Sequence, residues 1–124
     1  MWNDAVMRGA AAAGFLEPLR ALLSRNVSVE SSTSSGRTPL LLACQGGHDL
    51  CARALIEAGA DVNKEGPQGY SYLMVACLDG HEQCARALIE AGANKKTKAK
   101  TGATALSLAK ANKHKAVCAL LVRG

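Results

Sequence analysis

The amino-acid sequence predicts an all-α solenoid of four stacked helix-turn-helix units with short projecting β-hairpin-like loops. Three observations support this prediction. The segment CARALIEAGA occurs identically at 51–60 and 84–93, so the chain repeats with a period of 33 residues. Glycines recur at the points where helices should stop. Alanine, leucine and glycine abound while aromatic residues number only four, which favours closely packed helices over a sheet.

The 33-residue period divides the whole chain, 1–124, into one domain of four units. A chain of 124 residues has no room for a second independent core. Asn26 stands where later units have Gly59 and Gly92, and asparagine also tolerates the left-handed backbone that ends a helix. The units lie at about 1–32, 33–65, 66–98 and 99–124.

The first helix of the second unit has clear boundaries in the sequence. Thr38 is a good N-cap, and Pro39 is favoured at the first helical position because its backbone is already set for a helix. The helix is expected to run to about Cys44, where Gly46 and Gly47 break it.

The second helix of that unit opens at His48 and Asp49, where an acid favours the helix dipole, and Gly59 stops it. Two short antiparallel helices cannot bury their apolar faces alone, so neighbouring units must cover them. The apolar residues at helical spacing are Leu50, Ala54, Leu55 and Ala58.

Two pairs of opposite charge are expected on the exposed face of the second helices. Arg53 precedes Glu57 by four residues, and Arg86 precedes Glu90 by the same spacing. Residues four apart are neighbours on a helix, so each pair would add about 0.2–0.5 kcal/mol.

These segments resemble the ankyrin repeat over essentially the whole chain. The helix-opening motif of the family appears as TPLL at 38–41, its glycine-histidine turn at 47–48 and 80–81, and its ending as GADVN at 59–63. The first unit matches only in pattern. Departures from the motif are Leu41 in place of His, and Ser71-Tyr72 and Thr104-Ala105 in place of Thr-Pro.

The resemblance implies that His48, His81 and His114 hydrogen-bond to backbone near the turns between units. Catalytic residues are seldom installed identically in every unit, and no Ser, Cys or carboxylate pair stands in a recognisable relation to these histidines. We therefore expect no catalytic residue, no cofactor, no metal and no small-molecule substrate.

The resemblance also implies non-catalytic binding of another protein through the concave face, by a domain that is monomeric alone. Binding positions lie beside the loop glycines and at the end of each first helix, and they differ between otherwise identical units. Tyr70 beside Leu78 is the best anchor, because tyrosine is enriched at binding hot spots. The predicted partner-binding residues are Ser34, Ser35, Arg37, Gln45, Gln68, Tyr70, Leu78, Asp79, Lys100, Thr101, Ala103 and Asn112.

Charge is divided unevenly along the chain. The first 94 residues carry a net charge of −3, whereas the segment from Lys95 onward carries +8 and no acid. A solvated basic end is one interpretation; attraction of an anionic partner, whether an acidic protein, nucleic acid or an anionic membrane surface, is the other. No aromatic residue interleaves these lysines to stack on bases, which argues against nucleic acid. The candidate electrostatic residues are Lys95, Lys96, Lys98, Lys100 and Lys115.

The cysteines are expected to be core residues. Zinc needs four converging ligands, but packed helices stand about 10 Å apart, so cysteines one period apart do not converge. The fourth unit has Lys110 and Val117 at these positions, which suits a stack end rather than a metal site. The cysteines that lie one period apart are Cys44 with Cys77, and Cys51 with Cys84.

The number of cysteines predicts a reducing compartment. Five is an odd count, none lies in a CxxC pair, and the N-terminus lacks the basic-then-apolar arrangement of a secretory signal. We expect the cytoplasm, with the nucleus as the alternative.

Overall fold

The computed structural model describes residues 4–25 and 27–122, and this part of the chain forms eight α-helices and no strand. The all-α prediction is confirmed. Asn26, expected to end the second helix, lies outside the described residues. In chain order the helices are α1 (Asp4–Ala13), α2 (Leu16–Ser24), α3 (Pro39–Gly46), α4 (Asp49–Glu57), α5 (Tyr72–Leu78), α6 (Glu82–Glu90), α7 (Ala105–Ala111) and α8 (Lys115–Val122).

The helices form two layers that run along the stack. The first helices of the units, α1, α3, α5 and α7, contact one another in series, and the second helices, α2, α4, α6 and α8, do the same. Within each unit the two helices also pack together, so one continuous core of alanine, leucine and cysteine runs between the layers. None of the helices described combines the length and the apolar character that crossing a membrane requires.

Side-chain caps start the first helices of the last three units. The hydroxyls of Thr38, Ser71 and Thr104 each accept a hydrogen bond from the amide three residues later, at 3.3, 3.1 and 3.1 Å. The Thr104 amide in turn donates to the Ser107 hydroxyl at 2.9 Å, which completes a capping box. The loss of proline in the third and fourth units therefore leaves their helix starts intact.

Tyr72 occupies the position of Pro39 in the third unit and joins two units. Its side chain is buried, and its hydroxyl shares a 2.7 Å hydrogen bond with the buried Thr38 hydroxyl. Burial raises the pKa of Tyr72, so the phenol stays protonated.

The predicted buried face of α4 is partly wrong. Leu55 is fully buried, but Leu50 is 58% exposed. The neighbouring units instead cover Cys51, Ala52 and Leu55. With 3.6 residues per turn, Leu50 lies nearly opposite the centre of that stripe. The other two predicted residues also lie outside it, with Ala54 half-buried and Ala58 exposed.

The predicted ion-pair partners are wrong as well. Arg53 pairs with Glu90 of the next unit at 3.1 Å, and Arg86 pairs with Glu82 one turn earlier at 3.2 Å. Because equivalent helices lie side by side, a long arginine reaches the adjacent unit as readily as its own helix.

The loops between units are hairpin-like turns closed by backbone hydrogen bonds that recur from unit to unit. The amides of residues 33, 66 and 99 donate to the carbonyls of residues 37, 70 and 103, at 3.0, 3.0 and 2.9 Å. The bonds recur with the 33-residue period, and each fixes the residue that directly precedes an N-cap.

Candidate protein-binding groove

An open cleft of about 360 Å³ lies between the second and third units. It gathers six of the predicted partner-binding residues, drawn from both units, and we refer to it as the groove. Its lining residues are Arg37, Leu41, Gln45, Pro67, Gln68, Tyr70, Val75, Leu78 and Asp79.

Helix spacing sets the groove walls. Leu41 and Gln45 lie one turn apart on α3, and Val75 and Leu78 lie three residues apart on α5, so each pair shares a helix face. Leu41 is fully buried, whereas Leu78 is 38% exposed. The groove therefore offers apolar surface that the rest of the domain does not cover.

Tyr70 has a fixed backbone and an available side chain. Its amide donates to the Pro67 carbonyl at 3.1 Å, and its carbonyl accepts from the Gly66 amide at 3.0 Å. The side chain is half-buried in the groove wall. A rigidly held aromatic of this kind loses little conformational entropy on binding, unlike Tyr72, which the core already buries.

Gln68 lies at the loop tip with a left-handed backbone, φ +59° and ψ +25°. An L-residue other than glycine or asparagine rarely adopts this conformation, which costs about 1–2 kcal/mol. The Gln68 carbonyl accepts a 3.4 Å hydrogen bond from the Lys100 amide, so the next loop holds the strained residue in place. Strain of this kind is concentrated at ligand-contacting positions.

The groove lining combines apolar residues with charged and amide residues, and we refer to the latter as its rim. Arg37, half-buried, precedes the N-cap of α3, and exposed Asp79 ends α5. Together with Gln45 and Gln68 they make up the polar part of the lining, beside its apolar residues. Protein–protein interfaces also combine apolar and polar residues.

The repeated histidines position the ends of the first helices. Nε2 of His48, His81 and His114 lies 3.1, 3.2 and 3.1 Å from a backbone carbonyl oxygen of the preceding unit. A carbonyl can only accept, so Nε2 carries the proton in each case. The hydrogen bonding that the family resemblance implied is confirmed, and two of the acceptors are the groove residues Gln45 and Leu78.

The four cysteines that pair at one period apart are core residues, as predicted. Cys44, Cys51, Cys77 and Cys84 are at most 1% exposed, and burial raises the pKa of Cys77 to about 12. The thiols of Cys44 and Cys84 hydrogen-bond to each other. The repeat did not predict this pair, because the two cysteines are not one period apart. That bond and burial raise the pKa of Cys44, so it stays a thiol. Among the described residues no cluster of His, Cys, Asp and Glu could hold a metal ion.

The structure leaves the other predicted binding residues outside the groove. Ser34 and Ser35 are exposed at the first loop tip. In the fourth unit, Lys100 and Thr101 are exposed on the loop, and Ala103 is half-buried beside it. Asn112, also exposed, ends α7 and donates its side-chain amide to the Leu108 carbonyl at 2.9 Å. The role of all six stays a prediction.

Sequence reasoning missed three groove residues, Leu41, Pro67 and Val75. Helix spacing could have predicted two of them, because Leu41 lies one turn before Gln45 and Val75 lies three residues before Leu78. Pro67 gave no such signal, since it lies in a loop without a period.

Comparison with known proteins agrees with this architecture. The profile for ankyrin repeats, in three copies, matches residues 6–99 and again 63–124. No curated protein matches the chain at a significant level.

Proposed function

The chain belongs to the ankyrin-repeat family, and we propose that it is a non-catalytic adaptor that binds a partner protein in the groove between its second and third units. Members of the family are generally protein-interaction modules. One observation carries the proposal. Six residues that vary between otherwise identical units converge on one open cleft, where Leu78 and Tyr70 present uncovered apolar surface.

The partner we propose carries acidic residues beside its apolar anchor. The supporting contact is the bond between Lys100 and Gln68, which brings the basic loop at 95–100 against the rim of the groove. Lys96, Lys98 and Lys100 are exposed there. Charges at a rim act mainly by steering the partner during approach, and less by holding the complex together.

The anchor role of Tyr70 is tested by Tyr70→Ala. Proteins captured from a lysate by the parent domain and lost with Tyr70→Ala identify groove ligands, whose affinities are then measured by titration. We expect a loss of more than about 1 kcal/mol in binding, as for interface hot spots, with an almost unchanged melting temperature. Phe15→Ala is the matched control, since Phe15 is also aromatic, is 60% exposed and lies outside the groove.

Two outcomes would contradict the anchor role. Equal losses of affinity in Tyr70→Ala and Phe15→Ala would show that the groove is not the binding site. A large fall in melting temperature without a specific loss of binding would make Tyr70 a packing residue.

The steering role is tested by changing Lys95, Lys96, Lys98 and Lys100 together to Ser. Association should slow and its salt dependence should flatten, while dissociation should change less. Stopped-flow kinetics over a salt series measure both rates. An unchanged association rate would leave these lysines as a solubilising surface only.

A further inference from the structure

A second cleft, of about 440 Å³, opens on the exposed end of the fourth unit, away from the groove. Its lining shares no residue with the groove. We refer to it as the end cleft. Every residue that lines it differs from the residue one period earlier. Lys110 lies at the position of Cys77, Lys113 at that of Gly80, Lys115 at that of Glu82, and Cys118 at that of Ala85.

The end of a stack explains only part of these changes. Within the described part of the chain no unit packs on the fourth, and on such a face a buried apolar position can become polar, as Lys110 does in place of a buried cysteine. Any polar residue would suit such an exposed face. At the position of Lys115, for example, the two preceding units have acids. End position alone therefore does not explain three cations around one cleft.

Two of the three lysines also oppose their local structure. Lys113 has a left-handed backbone, φ +60°, where the preceding units have glycine. Lys115 is the first residue of α8, where its positive charge opposes the helix dipole. Unfavourable local choices that converge on one place are typical of functional positions.

We propose that the end cleft binds the carboxylate side chains of an acidic segment of a partner protein. Its described lining has three ammonium groups and no carboxylate, and the sequence has no acid after Glu90. The methylene stems of lysine give such a cleft apolar walls, which suits a side chain with an aliphatic stem such as glutamate. No aromatic residue occurs from Lys95 onward, so the surface lacks the stacking platform that single-stranded nucleic acid uses. The proposal does not depend on the function of the groove.

Cys118 reports directly on occupancy of the end cleft. It is half-buried in the cleft lining, whereas the other four cysteines are at most 1% exposed. A thiol reagent should therefore alkylate Cys118 selectively. Hexaglutamate at low salt should slow this alkylation at least about fivefold, and moderate salt should remove the protection, as screening predicts.

The matched variants return the end cleft to the residue types of earlier units. The double variant Lys113→Gly with Lys115→Glu has the same residue types as Gly80 and Glu82, one period earlier. The stack should therefore fold, which circular dichroism checks. Hexaglutamate should no longer protect Cys118 in this variant, and its affinity by fluorescence anisotropy should fall about tenfold, as expected for the loss of two cations and the gain of an acid. The loop variant with Ser at 95, 96, 98 and 100 should keep the protection, because none of those positions lines the end cleft.

Three results would overturn the proposal. The first is an alkylation rate of Cys118 that hexaglutamate leaves unchanged in the parent, and the second is equal protection of Cys118 in the restored variant. An oligothymidylate of equal charge that protects Cys118 better than hexaglutamate would assign the site to nucleic acid instead. Each result concerns the end cleft alone, and the groove is tested separately by Tyr70→Ala.

Discussion

Substituting equivalent positions in consecutive units should change stability in opposite directions. Gly80 and Lys113 lie one period apart, and both have a left-handed backbone, φ +72° and +60°. A Cβ added to Gly80 would lie 2.6 Å from Nδ1 of His114, closer than real contacts allow. No histidine of a following unit packs on Lys113 in the part of the chain that the structure describes. Gly80→Ala should therefore be destabilising and Lys113→Gly stabilising.

The magnitudes follow from these contacts. In Gly80→Ala the left-handed backbone costs about 1–2 kcal/mol. Displacing the His114 ring from the Leu78 carbonyl costs about 1 kcal/mol more. Alanine also restricts the unfolded chain, which recovers about 0.5 kcal/mol of stability and leaves a net loss of about 2 kcal/mol. In Lys113→Gly, relief of backbone strain exceeds the added flexibility of glycine by about 0.5–1 kcal/mol.

Thermal and urea unfolding of the two variants provide the assay. About 4 °C per kcal/mol applies to a domain of this size, so Gly80→Ala should melt about 8 °C lower and Lys113→Gly about 2–4 °C higher. Melting of Gly80→Ala within about 2 °C of the parent would show that His114 does not require glycine there. A lower melting temperature for Lys113→Gly would show that the lysine makes a stabilising contact, and would refute the argument from strain.

Four further substitutions test the core. Leu55→Ala and Leu88→Ala should each cost about 2–5 kcal/mol, since both side chains are fully buried, and a melting shift of under about two degrees would contradict that burial. Tyr72→Phe should lose about 1–2 kcal/mol in urea unfolding, because the buried Thr38 hydroxyl loses one of its two hydrogen-bond partners; parent-like stability would show that bond to be dispensable. Because the folded-state pKa of Cys77 is raised from 9.0 to about 12, its contribution to stability is present below pH 9 and decreases above it, by up to about 1.4 kcal/mol per pH unit. Cys77→Ala should flatten this alkaline loss of unfolding free energy, and an unchanged slope would assign it to other groups.

The fold could be predicted from the sequence because its signals are local and repeated. The cap at Thr38 and the stop at Gly47 depend on a few neighbouring residues, and the 33-residue period extends them to other units. The face that α4 buries was predicted less well. Which side of a short helix is covered depends on the tilt of its neighbours, so Leu50 satisfied the spacing and still lies in solvent.

The groove was predicted in part, for a related physical reason. Variation between equivalent positions identified Tyr70 and Leu78. A position whose residue differs from one unit to the next is not one that packing of the repeat requires. It could not identify Leu41, which is buried and yet lines the groove. The ion pair between Arg53 and Glu90 was missed because a contact between units leaves no spacing signal within a helix.

The histidine bonds that stack the units also hold the backbone of two groove residues. His81 Nε2 donates to the carbonyl of Gln45, and His114 Nε2 donates to that of Leu78. Each bond ties a unit to the one before it and also fixes the backbone of a groove residue. The side chains of Gln45 and Leu78 can therefore differ without disturbing the stack, because the histidine holds only their backbone. This separation explains how one repeated scaffold keeps CARALIEAGA unchanged while the residues at its groove vary.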